Sequence, residues 1–311
     1  MGRCLTALAL WMVGGVAFAD DALRFEAITT VQHGVEDPRL MVSVRVGGVM
    51  DLKLDCGGRN FDGTFTLAPD SLMTIPLKGL AQGVHQCVGS IYLEARDGST
   101  GDMPLSLKVS SLPLISLQSS REELDLKART LKVRADRPLQ AAMVSVYGPR
   151  GVLLAQANAD LSDPLAPFFQ WEQAEAEVVK LEVEVRDQNN FRTKLTLSPW
   201  SYAIPHEDVV FASGSAEITT AEAPKLESTW EEIGRVLELY GEVVQIRLFV
   251  AGFTDTVGDA GSNQILSERR AKAIAGWFRK RGFSGPIAYQ GFGERVLVVQ
   301  TGDEVDEVSN R

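Results

Sequence analysis

From about Leu23 to Trp200, apolar residues fall on every second position in short runs, each closed by glycine or by an Asx-type turn. That period is the mark of strands with one buried and one wet face, and short strands broken by such turns build antiparallel sandwiches. "MVSVRV" at 41–46 and "MDLKLDC" at 50–56 are joined by Gly47 and Gly48. They would turn Val42, Val44, Val46, Leu52, Leu54 and Cys56 inward. "SIYLEA" at 90–95 is closed by "RDGS". The texture resumes with "LKVRAD" at 131–136, "AAMVSVYG" at 141–148 and "VVKLEVEVRDQNNFRTKLTLSP" at 178–199, in which Asp187 to Asn190 reads as a turn between two strands. Two immunoglobulin-like sandwiches in tandem, over 20–116 and 117–203, are expected; one larger sandwich fits the same alternation.

After "SPWSYAIPHEDVVF" the period becomes helical. Leu226, Trp230, Ile233, Leu237 and Tyr240 recur at steps of four and three, an amphipathic helix entered near Pro224 and stopped by Gly241. "VVQIRLFVAGF" at 243–253 reads as a strand, "PIAYQGFG" at 286–293 as another, with a helix between them. The expected third unit, 204–311, is therefore an α+β layer of β-α-β-α-β order with helices on one side of a small sheet.

The N-terminus, "MGRCLTALALWMVGGVAFAD", has a basic Arg3, a short apolar run and an A-x-A site at Ala17 and Ala19. This predicts an export signal over residues 1–19 and a mature chain with no membrane-spanning segment. Cleavage would remove Cys4 and leave Cys56 and Cys87, which in an exported protein read as a disulfide. His33, His85 and His206 are scattered, which suits neither a metal site nor a nucleophile and base pair, so no cofactor is expected. Lys+Arg 31 against Asp+Glu 41 leaves a net charge of -10, which argues against nucleic acid and against an anionic membrane surface.

The second helix of the layer has an odd wheel. At about 100 degrees per residue, Asn263, Ser267 and Arg270 fall on the packing face with Leu266, Ile274 and Trp277, while Gln264, Glu268 and Lys272 fall opposite. A buried guanidinium needs an internal acid or a ligand anion. Asp255, where the strand ends, is the natural acid, and Gly258 permits the turn between. Together Asp255 and Arg270 offer an acceptor for an ammonium and a fork for a carboxylate beside helix-start N–H groups, which suits a zwitterion. A plain structural bridge between them fits the spacing equally well.

"TDTVGDAGSNQILSERRAKAI" carries T-D, x-x-G and N-x-x-L-S-x-x-R-A at Thr254, Asp255, Gly258, Asn263, Leu266, Ser267, Arg270 and Ala271, followed by apolar Ile274. With "VVFASGSAEI" upstream and "GFGE" downstream, this resembles the OmpA-like peptidoglycan-binding domain over about the last hundred residues. The resemblance implies a first strand at "VVFASGSAEI" and noncovalent binding of the diaminopimelate of the stem peptide. It places Asp255 and Arg270 on the zwitterionic end, with Thr254 and Asn263 helping to shape the pocket, and Gly258, Ser267 and Arg311 are counted in the same binding set. It also implies periplasmic or outer-membrane association. Phe253 stands where the family usually has histidine or tyrosine, and the family's final strand would follow Arg311.

Three functions are consistent with these residues. The favoured one is a non-catalytic wall-binding protein whose sandwiches serve as modules for other envelope proteins. A protein scaffold whose terminal fold no longer binds ligand is the second. A wall hydrolase using Asp255 and Asp259 is the third, disfavoured because a nearby arginine depresses an aspartate and spoils a general acid. Exposed stretches at 56–63 and 149–156 read as turns rather than as partner sites.

Overall fold

The structure, a computed structural model, describes residues 23–310. The expected signal over 1–19, Cys4 and Arg311 lie outside the described residues.

The first all-β region holds strands β1 (Leu23–Ile28), β2 (Thr30–Gln32), β3 (Arg39–Val44), β4 (Gly48–Cys56), β5 (Gly63–Leu67), β6 (Ser71–Pro76), β7 (Gly83–Ala95) and β8 (Thr100–Leu112). They form two sheets, ordered β1-β3-β6 and β2-β8-β7-β4-β5. Val42 and Val44 from one sheet and Leu52, Leu54, Ile91, Leu105 and Leu107 from the other share one buried cluster. Fully burying each such side chain stabilises the fold by about 1.5–3 kcal/mol. Val46 departs from expectation: it is 40% exposed, because β3 ends at Val44 and the chain is already turning at Gly47, whose φ is 73°. Cys56 and Cys87 are bonded, and they are directly opposed across β4 and β7 within one sheet.

The second region holds β9 (Leu117–Gln118), β10 (Leu124–Asp125), β11 (Thr130–Lys132), β12 (Arg134–Ala135), β13 (Leu139–Tyr147), β14 (Leu153–Asn158), β15 (Phe168–Gln170), β16 (Lys180–Asp187) and β17 (Arg192–Leu197). Its main sheet runs β14-β13-β16-β17, faced by the smaller β10-β11-β15 and β12-β9. Val144, Val146, Leu181 and Val183 from the main sheet pack with Leu131, Val133 and Phe169 in a cluster separate from the first. β16 and β17 form the expected hairpin, and Asp187 Oδ1 closes its turn by accepting from the N–H groups of Asn189 at 2.8 Å and Phe191 at 3.0 Å.

The C-terminal layer contains α1 (Ala223–Tyr240), β18 (Leu248–Gly252), α2 (Ala260–Lys280) and β19 (Ile287–Gly291). The apolar face of α1 buries Leu226 and Ile233 against Phe278 of α2 and Phe283 beyond it. β18 and β19 pair in parallel, and α2 is the crossover connection that such a pair needs. Gly252 and Gly291 decide how α2 sits on this pair. A Cβ on Gly252 would lie 2.1 Å from the Ser267 carbonyl oxygen, and one on Gly291 would lie 2.3 Å from the Glu268 nitrogen. Only strands without side chains at these two points let the helix backbone come so near.

The segment expected as a first strand, "VVFASGSAEI" at 209–218, forms no strand among the described residues. Its backbone groups are taken by side chains instead. Glu222 Oε2 accepts from the Val210 N–H at 2.8 Å, and Arg270 takes the carbonyls of Ala212 and Ser215. A ladder needs those same groups.

Candidate functional site

The strand-to-helix junction between β18 and α2 gathers the predicted polar residues. Thr254 is 1% exposed, Asp255 8%, Asn263 5%, Ser267 0% and Arg270 2%. The polar stripe read from the wheel is thus buried as deeply as the apolar Ala271 and Phe278 of α2, and more deeply than Leu266, Ile274 and Trp277, which are half-buried.

Arg270 is anchored by main-chain carbonyls. Its Nε donates to Ser215 O at 2.9 Å, one terminal nitrogen to Phe253 O at 3.1 Å and the other to Ala212 O at 3.2 Å. Three of the five guanidinium donors are thereby oriented by the backbone. The Phe211 ring lies 5.3 Å from the guanidinium carbon, within range of a cation–π attraction. Phe253 precedes the Thr254-Asp255 pair, so the arginine is tied directly to the turn that carries the carboxylate.

Asn263 and Ser267 hold the junction in shape. Asn263 Nδ2 donates to Glu294 Oε2 at 2.6 Å, Val257 O at 3.2 Å and Asp255 O at 3.4 Å. Ser267 Oγ donates to Gln264 O and accepts from the Gly293 N–H, both at 2.9 Å. Gly258 has a φ of 93°, a conformation that a side chain would strain. Thr254 Oγ1 differs from these: it is buried and has no hydrogen-bond partner among the described residues. A buried hydroxyl without a partner costs about 1–3 kcal/mol, which a protein tolerates where another molecule completes it.

The start of α2 departs from expectation. Asp259 is its N-cap, and its Oδ2 accepts from the Ser262 N–H at 2.9 Å. One of the helix-start N–H groups expected to face a ligand is therefore met by the protein's own carboxylate.

Residues 297–310 cross the junction from outside. Thr256 Oγ1 donates to Gly302 O at 2.7 Å and accepts from the Val305 N–H at 3.1 Å. Asn310, 1% exposed, exchanges hydrogen bonds with the Val299 backbone at 2.8 and 2.9 Å. Arg270 also lines a cavity of about 760 Å³ whose walls include the edge of β18 and the segment Ser198 to Phe211. Asp255, Thr254 and Asn263 do not line it.

Glu294, Thr256, the capping role of Asp259 and the carbonyls of residues 212, 215 and 253 escaped the sequence reading. Glu294 lies in "GFGE" and could have been found there; a main-chain acceptor carries no residue identity and leaves no such signal. The three histidines are engaged apart from one another, His33 with Ser111, His85 with Ala81 O and His206 with Ile204 O. Among the described residues no cluster suited to a metal ion occurs, and no helix is long and apolar enough to cross a membrane.

Residues 210–311 match the model of the OmpA family. Over 110 residues the chain is 33% identical to Outer membrane protein P5 of Haemophilus influenzae, covering 34% of this chain and 28% of that protein. Over 89 residues it is 36% identical to the Outer-membrane lipoprotein YfiB of Pseudomonas aeruginosa, covering 28% of this chain and 51% of that one. The matched part thus spans between about a quarter and a half of these relatives. A solved tetra-tandem repeat from the extending region of a large adhesion protein aligns at 12% identity over 56% of this chain and 47% of that one, with a TM-score of 0.23, too low to bear on the fold. Residues 210–311, the C-terminal third of the chain, are an OmpA family domain.

Proposed function

We propose that this chain is a non-catalytic, exported cell-envelope protein that binds peptidoglycan noncovalently through its C-terminal third. In this reading residues 20–116 and 117–203 are sandwich modules for other envelope proteins, held at the wall by residues 204–311. The ligand is the zwitterionic end of diaminopimelate in the stem peptide. Asp255 accepts its ammonium, and Arg270, oriented by three carbonyls, takes its carboxylate. Thr254 Oγ1 completes the set. Arg311 belongs to the same proposal as part of the binding set that the family resemblance implies.

The observation that carries the reading is the buried Thr254 hydroxyl, without a partner among the described residues, beside Asp255 on a turn whose Phe253 carbonyl is held by Arg270. Hydrolysis is disfavoured because the second acid it would need, Asp259, is committed to capping α2. The burial of Arg270 and Asp255 favours a second reading, in which the domain is a scaffold with a closed site.

Pull-down with purified sacculi separates these readings. The isosteric Asp255→Asn variant removes the charge without removing volume, so retention that falls at least tenfold while the melting curve is unchanged supports wall binding. No retention of the parent protein would instead support the scaffold, and release of soluble muropeptides the hydrolase.

A further inference from the structure

The contact between the second sandwich and the C-terminal layer is built around one carboxylate. Glu177 lies just before β16. Its Oε1 accepts from Trp200 Nε1 at 2.8 Å, and its Oε2 accepts from the Tyr240 hydroxyl at 2.8 Å. Trp200 belongs to the segment leaving β17, and Tyr240 is the last residue of α1. The two rings pack with centroids 4.3 Å apart, and Tyr202 stacks on the indole at 6.2 Å while its hydroxyl donates to Glu232 Oε1 at 2.7 Å. Beneath them Val179 and Tyr147 of the sandwich pack with Val236, Tyr240 and Val243 of the layer.

Domains joined in one chain move against each other unless their contact is apolar and well packed. Here the contact has an apolar floor, and Glu177 ties the sandwich to α1 with one oxygen, through Tyr240, while its other oxygen fixes Trp200 where the chain leaves the sandwich; Arg150 and Glu238 add an exposed ion pair at 3.5 Å. We propose that Glu177 is a lock that makes the second sandwich and the C-terminal domain one rigid arm. The segment from Trp200 onward is then a strap tied at both ends, by Glu177 at Trp200 and by Arg270 at Ala212 and Ser215, rather than a free tether. Whatever the sandwich presents is held at a fixed angle to the Asp255 site. The lock does not depend on the peptidoglycan reading and stands or falls separately.

Spin-label distances in the full chain test it. Cysteines placed at exposed Lys132 on β11 and exposed Lys272 on α2, in a Cys4→Ser background with Cys56 and Cys87 left bonded, report one distance across the junction. The parent protein is expected to give one narrow distribution. Glu177→Leu should lose that single peak and Tyr240→Phe should broaden it, with each variant keeping the far-UV dichroism of the parent because Glu177 is on an exposed loop and Tyr240→Phe deletes only a hydroxyl. A parent distribution already broad, or a Glu177→Leu distribution as narrow as the parent's, overturns the proposal.

Discussion

Replacing Gly252 by alanine tests the packing that brings Ser267 and Arg270 to the junction. The added Cβ would lie 2.1 Å from the Ser267 carbonyl oxygen and 3.1 Å from the Ala271 nitrogen. The first distance is more than about 1 Å short of van der Waals contact. Both obstacles are helix backbone, so no side chain can swing aside and α2 must move off the strand. Overpacking of a core by a methyl group costs about 1–3 kcal/mol where side chains can adjust, and a backbone clash belongs at or above the top of that range. With a urea slope of about 1–3 kcal/mol/M, a loss of about 3 kcal/mol lowers the unfolding midpoint by roughly 1–3 M. The readout is the pair of indole signals from Trp230 on α1 and Trp277 on α2, which report this layer and leave the sandwiches aside. Gly234→Ala is the internal control: that glycine is exposed on α1 and a Cβ there meets nothing within 4 Å. Alanine should stabilise the helix there by about 0.5–1 kcal/mol and raise the midpoint. A Gly252→Ala midpoint equal to the parent's, beside a raised Gly234→Ala midpoint, would refute the close approach of α2 to β18.

Reducing the Cys56–Cys87 bond, which closes a loop with a sequence separation of 31, should lower the stability of the first sandwich by about 3–4 kcal/mol, read as an earlier melting transition under reductant. Burial and the hydrogen bond to Glu177 hold the Tyr240 hydroxyl above the ordinary tyrosine range, so its stabilising contribution is complete below about pH 10 and is lost as pH rises through the raised value. Alkaline titration should therefore show tyrosinate absorbance appearing together with the opening of the junction, and Tyr240→Phe should remove that coupled step. Thr254→Val deletes a buried hydroxyl that has no partner among the described residues, so the melting temperature should hold or rise while sacculus retention falls. A lower melting temperature would show that the hydroxyl is satisfied in the folded protein.

The parts of this molecule that depend on side-chain period were legible in its sequence. Alternation marked the paired sheets and the hairpin that turns at Asp187, and the helical wheel alone put Asn263, Ser267 and Arg270 on the packing side of α2. What stayed hidden has a common physical origin: it depends on backbone groups or on distant partners. Val46 continues the alternation, yet the strand stops two residues earlier at a glycine turn. Residues 209–218 are apolar enough for a strand, but Arg270 and Glu222 claim the carbonyls and N–H that a strand would use. Asp259 reads as a candidate acid until the start of α2 shows it capping the helix. Glu177 gives no local sign of its role, because its partners lie 23 and 63 residues away.

The account rests on Asp255 and Arg270 recognising an ammonium and a carboxylate on one small ligand, and amide NMR of the full chain measures this most directly. Titration with a diaminopimelate-containing stem tripeptide should move the amides of residues 253–258 and 263–270 saturably, and the lysine-containing tripeptide, which lacks the second carboxylate, should leave them nearly still. Asp255→Asn should abolish the response. Unmoved amides at these positions, or equal shifts with both peptides, would contradict the claim.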